Sequence, residues 1–240
     1  MLRQEIKQLF KYRVFNNNSI RCLTDDVVWV SDPKNFNDPF EYTFHIEPDL
    51  SYEATRLRNR SATRSNYRGK QKELIEGLKS NFLVGGILSL SESNTVSLMW
   101  SHYADSHKGF CIGYERGGDN LLGSDKCLPV SYSTFPEMKL SELFEAIETR
   151  GEEPGRLLFE RMVLSKDPNW RYEREWRVLF RQSDQFIKLG APIRSITFGL
   201  RTPDEHKDEI RIILRGSPGI EYYQAHKAER SYDVEIHRLD

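Results

Sequence analysis

The run WRYEREWR, residues 170–177, places Glu173 and Glu175 two positions apart among aromatic and basic side chains. On an extended chain this spacing puts both carboxylates on one face. There they can act jointly on a substrate or hold an arginine between them. The competing reading is a cross-strand ladder of alternating charge, with Trp176 packed on the opposite face. A second loaded stretch, MWSHYADSHKG at residues 99–109, offers Trp100, His102, Tyr103, His107 and Lys108. An imidazole titrates near neutrality, so His102 suits acid–base work or, with His107 and Lys108, a phosphate. A metal pair is disfavoured, because His102 and His107 are five apart and HExxH is absent. Met99 and Trp100 read as core.

The elements that must position these groups follow from periodicity and punctuation. Residues 9–14, 27–31 and 41–46 are short β-branched or aromatic runs bounded by Asn, Asp and Pro, which predicts strands. Residues 15–23 carry Asn and Ser caps before Ile20 and Leu23 and predict a short helix. From 52 to 81 the chain is dense in Arg, Lys, Glu and Gln, as solvated helices are; its basic core, 56–72, is the one patch suited to polyanions. ILSLS alternates at period two after Gly85 and Gly86 and reads as a strand. In NTVSLMWSHYA, Val96, Met99, Trp100 and Tyr103 fall on one helical face. Strands at GFCIGYE, REWRVLF and IRSITFGL follow, with helical patterns over 139–164 and 203–212. EYYQA and YDVEIHRL read as closing edge strands. The fold class is therefore α+β: a bent, mainly antiparallel sheet with peripheral helices, in a single domain over residues 1–240 with a charged helical insertion at about 50–82.

Composition narrows the function. The 240 residues include 35 basic and 36 acidic side chains, so no global field recruits nucleic acid or an anionic membrane. Cys22, Cys111 and Cys127 are odd in number and share no CxxC spacing, which points to reduced thiols and no zinc site. No leader-like apolar region and no apolar run of membrane-spanning length occurs, so the chain reads as cytoplasmic. Gly-rich phosphate loops, GxSxG and kinase signatures are absent.

FKYR at 10–13, NFNDPFE at 35–41, the 89–110 stretch and WRYEREWR, in this order, together resemble the bacterial family called domain of unknown function twenty-nine seventy-one, over roughly residues 9–200. Their order is also similar, more distantly, to that of ADP-ribosyltransferases. That resemblance implies an ADP-ribosyltransferase-like split sheet and NAD as the substrate. It implies Lys11 in place of the usual His or Arg on the first strand, with Tyr12 beside it and Arg13 as a substitute on the same face. It further implies Ser89 and Ser91 as the small hydroxyl position, Trp100, His102 and Tyr103 around the nicotinamide, and Glu173 and Glu175 as the late acidic pair.

The chemistry that follows is cleavage of the nicotinamide glycosidic bond, in which a fixed carboxylate, here Glu175, steadies an oxocarbenium-like centre and grips a ribose hydroxyl. Glu175→Gln is then expected to cost about a hundredfold in turnover, with little effect on folding. The FNDPFE turn has two readings. Either Asn37 and Asp38 form an Asx-turn before Pro39 that anchors the next strand, with Phe36 and Phe40 in the core, or Asn37, Asp38 and Glu41 form a polar rim that fixes a ribose or orients Arg13. The implied function is ADP-ribosyl transfer to a protein or nucleic-acid acceptor, or NAD hydrolysis, by a toxin or effector in antiphage or interbacterial conflict with a partner or antitoxin protein. Two other classes stay open. One is a metal-dependent nuclease using Asp38, Glu41, Glu173 and Glu175 with Lys108; the other is a non-catalytic nucleotide or protein sensor.

Overall fold

Asn16 stops an extended segment and starts a helix by accepting the backbone N–H of Ser19 on its side chain at 2.9 Å. The segment before it is β1, Gln8–Arg13, and the helix is α1, Asn17–Thr24, which buries Ser19, Cys22 and Leu23. The computed structural model describes residues 6–43, 45–47, 85–133, 137–139, 141–142 and 161–239. It divides into two compact units, Met1–Asp32 with Gly85–Val130 and Asn169–Asp240, and Pro33–Val84 with Ser131–Pro168.

The first unit is built on an eight-stranded sheet and a separate strand pair. After β1 come β2 (Val28–Val30), β4 (Gly86–Ser91), β5 (Phe110–Glu115), β6 (Cys127–Pro129), β10 (Glu175–Phe180), β11 (Gln185–Ile187), β12 (Ile193–Phe198), β13 (Glu221–Lys227) and β14 (Val234–Arg238). The large sheet runs β14-β13-β12-β5-β1-β4-β10-β6, and β2 pairs with β11 apart from it. Every neighbour in the large sheet is antiparallel except β12 and β13. Those two are parallel because helix α3, Asp204–Ile213, returns the chain to the same end of the sheet. β13 thus sits inside the sheet, and only β14 is the closing edge that the sequence suggests for both.

The two faces bury different cores. Leu9, Leu88, Leu90, Ile112, Trp176, Val178 and Phe198 pack with Leu23 of α1 and Ile210 of α3. On the other face Tyr12 and Cys111 pack against Met99 and Trp100 of α2, Ser97–Tyr103, with Val96 and Tyr103 beside them. The helical face predicted for that stretch is the one that is buried. The turn after α2 is unusual: Asp105, Ser106 and His107 have φ of 45°, 51° and 71°. Three consecutive left-handed residues with side chains are costly. They are held by the tight fit of Gly109, where a Cβ would run into the Arg13 carbonyl oxygen, and by Arg201 N–H donating to the His107 carbonyl at 2.9 Å.

The seam of the sheet lies between β1 and β4. β1 matches β5 residue for residue from Gln8↔Glu115 to Arg13↔Phe110, and β10 matches β4 from Glu175↔Ser91 to Phe180↔Gly86. Between β1 and β4, Phe10↔Ser91 alone is in register. Past it the strands part, and the Lys11 ammonium, not a backbone N–H, donates to the Ser89 carbonyl at 2.7 Å.

In the second unit, β3 (His45–Glu47) lies parallel to β8 (Glu137–Lys139), and β7 (Ser131–Tyr132) parallel to β9 (Ser165–Lys166). The strand predicted over 41–46 begins only at His45. The FNDPFE segment ahead of it turns: Asp38 Oδ1 accepts the Phe40 N–H at 2.9 Å, an Asx-turn as its residues suggest, and Tyr42 adopts a φ of 61°. Phe40 is 74 % exposed, so it is not the core residue that the anchoring alternative makes of it. The charged insertion at 50–82 and most of the helical pattern over 139–164 lie outside the described residues. No described helix is long and apolar enough to cross a membrane.

Candidate functional site

Register decides which side chains meet. Ser91 on β4 stands opposite both Phe10 and Glu175, so these three share a face with Tyr12, Ser89 and Arg177. Lys11 and Arg13 fall on the other face with Leu9, as alternation along β1 requires. Strands β1, β4 and β10 are consecutive in the sheet, so the positions of Lys11, Ser89 and Glu175 lie on neighbouring strands.

Glu175 is buried, and Arg177 grips it with two hydrogen bonds, Nε to Oε1 at 2.7 Å and Nη2 to Oε2 at 2.9 Å. The sequence reading does not single out Arg177, although Glu-x-Arg on a strand places both groups on one face. Glu173 reaches the same neighbourhood by another route. It ends a 3₁₀ turn, Pro168–Glu173, and Arg174 at a φ of 45° separates it from β10. The i, i+2 strand argument therefore does not apply to Glu173, because the strand starts only at Glu175. Its carboxylate accepts the Tyr103 hydroxyl at 2.7 Å, and its carbonyl accepts the Ser91 hydroxyl at 2.6 Å. Arg174 in turn supplies the carbonyl that takes the Glu92 N–H at 3.1 Å, while Glu92 accepts the Trp176 indole N–H at 2.8 Å. The predicted Ser91 and Tyr103 thus meet on Glu173 in one polar cluster at the ends of β4 and α2, with Glu175 opposite Ser91 at the start of β10.

Lys11 is half-buried, with its ammonium enclosed. Desolvation, reinforced by the Arg13 charge and partly offset by Glu175, pushes its pKa down to about 8. Arg13 donates to the Cys22 sulfur at 3.2 Å, and its Nε is buried without a partner. Tyr12 is a core residue whose hydroxyl donates to the Ser93 carbonyl at 2.8 Å and whose ring meets Trp100 edge-on. Trp100 is fully buried, its indole N–H satisfied by the Asn94 carbonyl. Ser89 is half-buried opposite Arg177. His102 and Lys108 are exposed, His102 with its ring centroid 6.5 Å from that of Trp170.

Asn37, Asp38 and Glu41 belong to the second unit. Asn37 is exposed, Asp38 caps its own turn, and Glu41 pairs with Lys166 at 2.7 Å with both side chains buried. Among the described residues no three His, Cys, Asp or Glu side chains converge as a metal site would. All three cysteines are free and buried; burial raises the Cys111 thiol well above its ordinary value and the Cys127 thiol to about 12.

Residues 99–178 match the model of a family described as Protein of unknown function (DUF2971). The match covers α2 from Met99 onward, β5, Glu173, and the start of β10 with Glu175 and Arg177. No curated protein and no solved structure matches the chain.

Proposed function

We propose that this chain, whose residues 99–178 match the DUF2971 family model, cleaves the nicotinamide glycosidic bond of NAD. ADP-ribose passes to a protein or nucleic-acid acceptor or to water. The observation that carries the reading is the Ser91–Glu173–Glu175 cluster beside the seam where β1 and β4 part. In this reading the seam between β1 and β4, with Ser91 on β4, Glu175 at the start of β10 and Glu173 in the turn ahead of it, serves as the cleft of an ADP-ribosyltransferase-like site.

In this reading the bond between C1′ and the nicotinamide nitrogen breaks with its electron pair leaving on nicotinamide. Glu175, its carboxylate oriented by Arg177, faces the positive charge that develops at C1′ and the ribose hydroxyl beside it. Glu173, positioned by Tyr103, takes the proton of the attacking acceptor or water. Lys11, its ammonium held in the seam, supplies positive charge near the dinucleotide phosphates. Such a site needs no resident metal. An effector role in conflict between bacteria or with phage, with an antitoxin partner, follows from the family resemblance alone.

The test is incubation of the purified chain with NAD and cell lysate, reading free nicotinamide and mass-shifted acceptors by mass spectrometry, with Glu175→Gln alongside. Nicotinamide release that falls about a hundredfold or more in the variant supports the reading. No release by either protein, or equal release by both, overturns it.

A further inference from the structure

The sheet face that carries Ser91 also floors a cavity of about 390 Å³, within the range that holds a nucleoside-sized ligand. β5 gives that floor no side chain. Gly113 lies opposite Phe10, and a Cβ there would run into the Ser195 hydroxyl and the Gln8 side-chain oxygen Oε1. A glycine inside a strand marks a place where other groups must come close. Here the Ser195 hydroxyl donates to Gln8 Oε1 at 2.9 Å across the bare glycine.

That bond occupies only half of the Gln8 amide, and Nε2 keeps its donors. Asn94, which also lines the cavity, is the converse case: Nδ2 donates to Thr197 Oγ1 at 3.2 Å, and Oδ1 keeps its lone pairs. One free donor and one free acceptor are thus offered to the same space, with the rings of Phe10 and Tyr223 among its walls. Water can satisfy both groups, but aromatic walls favour a planar occupant over bulk solvent.

We infer that this cavity binds a planar heteroaromatic ring whose edge carries a hydrogen-bond acceptor next to a donor, the edge shared by adenine and by a pyridine carboxamide. Gln8 Nε2 donates to the acceptor, Asn94 Oδ1 accepts from the donor, and Phe10 and Tyr223 flank the ring. Phe10 stands opposite Ser91, which stands opposite Glu175, so Phe10 is two strand spacings, roughly 10 Å, from Glu175, and a ring between Phe10 and Tyr223 lies beyond it over β5 and β12. Assignment of the ring to NAD rests on the function proposed above; the class of ring rests on the cavity alone.

The test uses adenosine and nicotinamide as separate probes on the full chain, by saturation-transfer NMR and calorimetry, with Gln8→Met and Tyr223→Leu checked for unchanged melting. Binding of either probe, weakened about tenfold by each variant as loss of one hydrogen bond or one ring contact predicts, supports the inference, and the probe that binds identifies the source of the ring. Saturation transfer from neither probe, or binding by both variants as tight as that of the parent chain, overturns it. Probe binding without NAD cleavage upholds the cavity and removes the enzymatic reading. NAD cleavage that is lost in Glu175→Gln yet unchanged in both cavity variants does the opposite.

Discussion

Glu175 and Arg177, two positions apart on β10, meet in a two-point ion pair of 2.7 and 2.9 Å with side chains only 5 % and 1 % exposed. The pair makes Glu175 a structural as well as a chemical residue. Removing one partner of such a pair leaves the other charged and buried, at a cost of about 3–5 kcal/mol. Glu175→Gln should therefore lower stability markedly in urea unfolding, contrary to the mild effect that the sequence alone suggests. Arg177→Met should do the same, and Glu175→Gln with Arg177→Met should recover most of the loss, because the buried charge disappears with its partner. Additive losses in this double-mutant cycle would show that the pair does not hold the strand.

Tyr103→Phe removes the hydroxyl that donates to Glu173 at 2.7 Å. A hydrogen bond to a charged group contributes about 1.5–3 kcal/mol, so the variant should unfold at correspondingly lower urea. If Glu173 handles the acceptor proton, nicotinamide release should also fall in this variant. An unchanged urea midpoint would place the hydroxyl outside the folded network.

Lys11 gives a pH signature. Its folded pKa of about 8 lies below its unfolded value of 10.5, so between those values the unfolded chain binds more protons than the folded one. Stability then rises with pH through that window, by at most about 1.4 kcal/mol per pH unit. Lys11→Met should be more stable than the parent below pH 8, and the difference should shrink toward pH 10.5. Parallel stability curves across pH 7–10.5 would contradict the burial of that ammonium.

The left-handed turn after α2 predicts opposite effects at neighbouring positions. Ser106 is exposed at a φ of 51°, so Ser106→Gly should relieve strain and raise stability by roughly 0.5–1 kcal/mol, even after the entropy glycine adds to the unfolded chain. Gly109→Ala pushes a methyl into the Arg13 carbonyl oxygen, a backbone atom that cannot move aside, and should cost about 3 kcal/mol or more. Thermal melts of the two variants shifting in the same direction would refute this account of the turn.

Much of the fold is legible along the chain. Period-two runs mark β1, β4, β5, β10 and β12, and the Val96–Met99–Trp100–Tyr103 spacing marks the buried face of α2. The segments that escape notice, such as β6 and β11, are three residues long and held by pairing with β10 and β2, so they carry little pattern of their own. The same local logic puts Lys11 and Arg13 on one face and Glu175 and Arg177 on one face.

It cannot relate those faces to each other. Whether Lys11 or Phe10 sits beside Ser91 depends on the register between β1 and β4, and slipping that register by one residue would exchange them. The register is fixed by how whole strands bury their apolar rows, Leu9, Leu88, Leu90 and Trp176 to one side and Tyr12 and Cys111 to the other. The sequence by itself thus marked the candidate residues and the strand faces that Lys11 shares with Arg13 and Glu175 with Arg177. Only the tertiary structure decided that Glu175 is tied to Arg177 beside Ser91, that Lys11 reaches the seam from the opposite face, and that Gln8 and Asn94 open onto one cavity, because burial acts on the sheet as a whole.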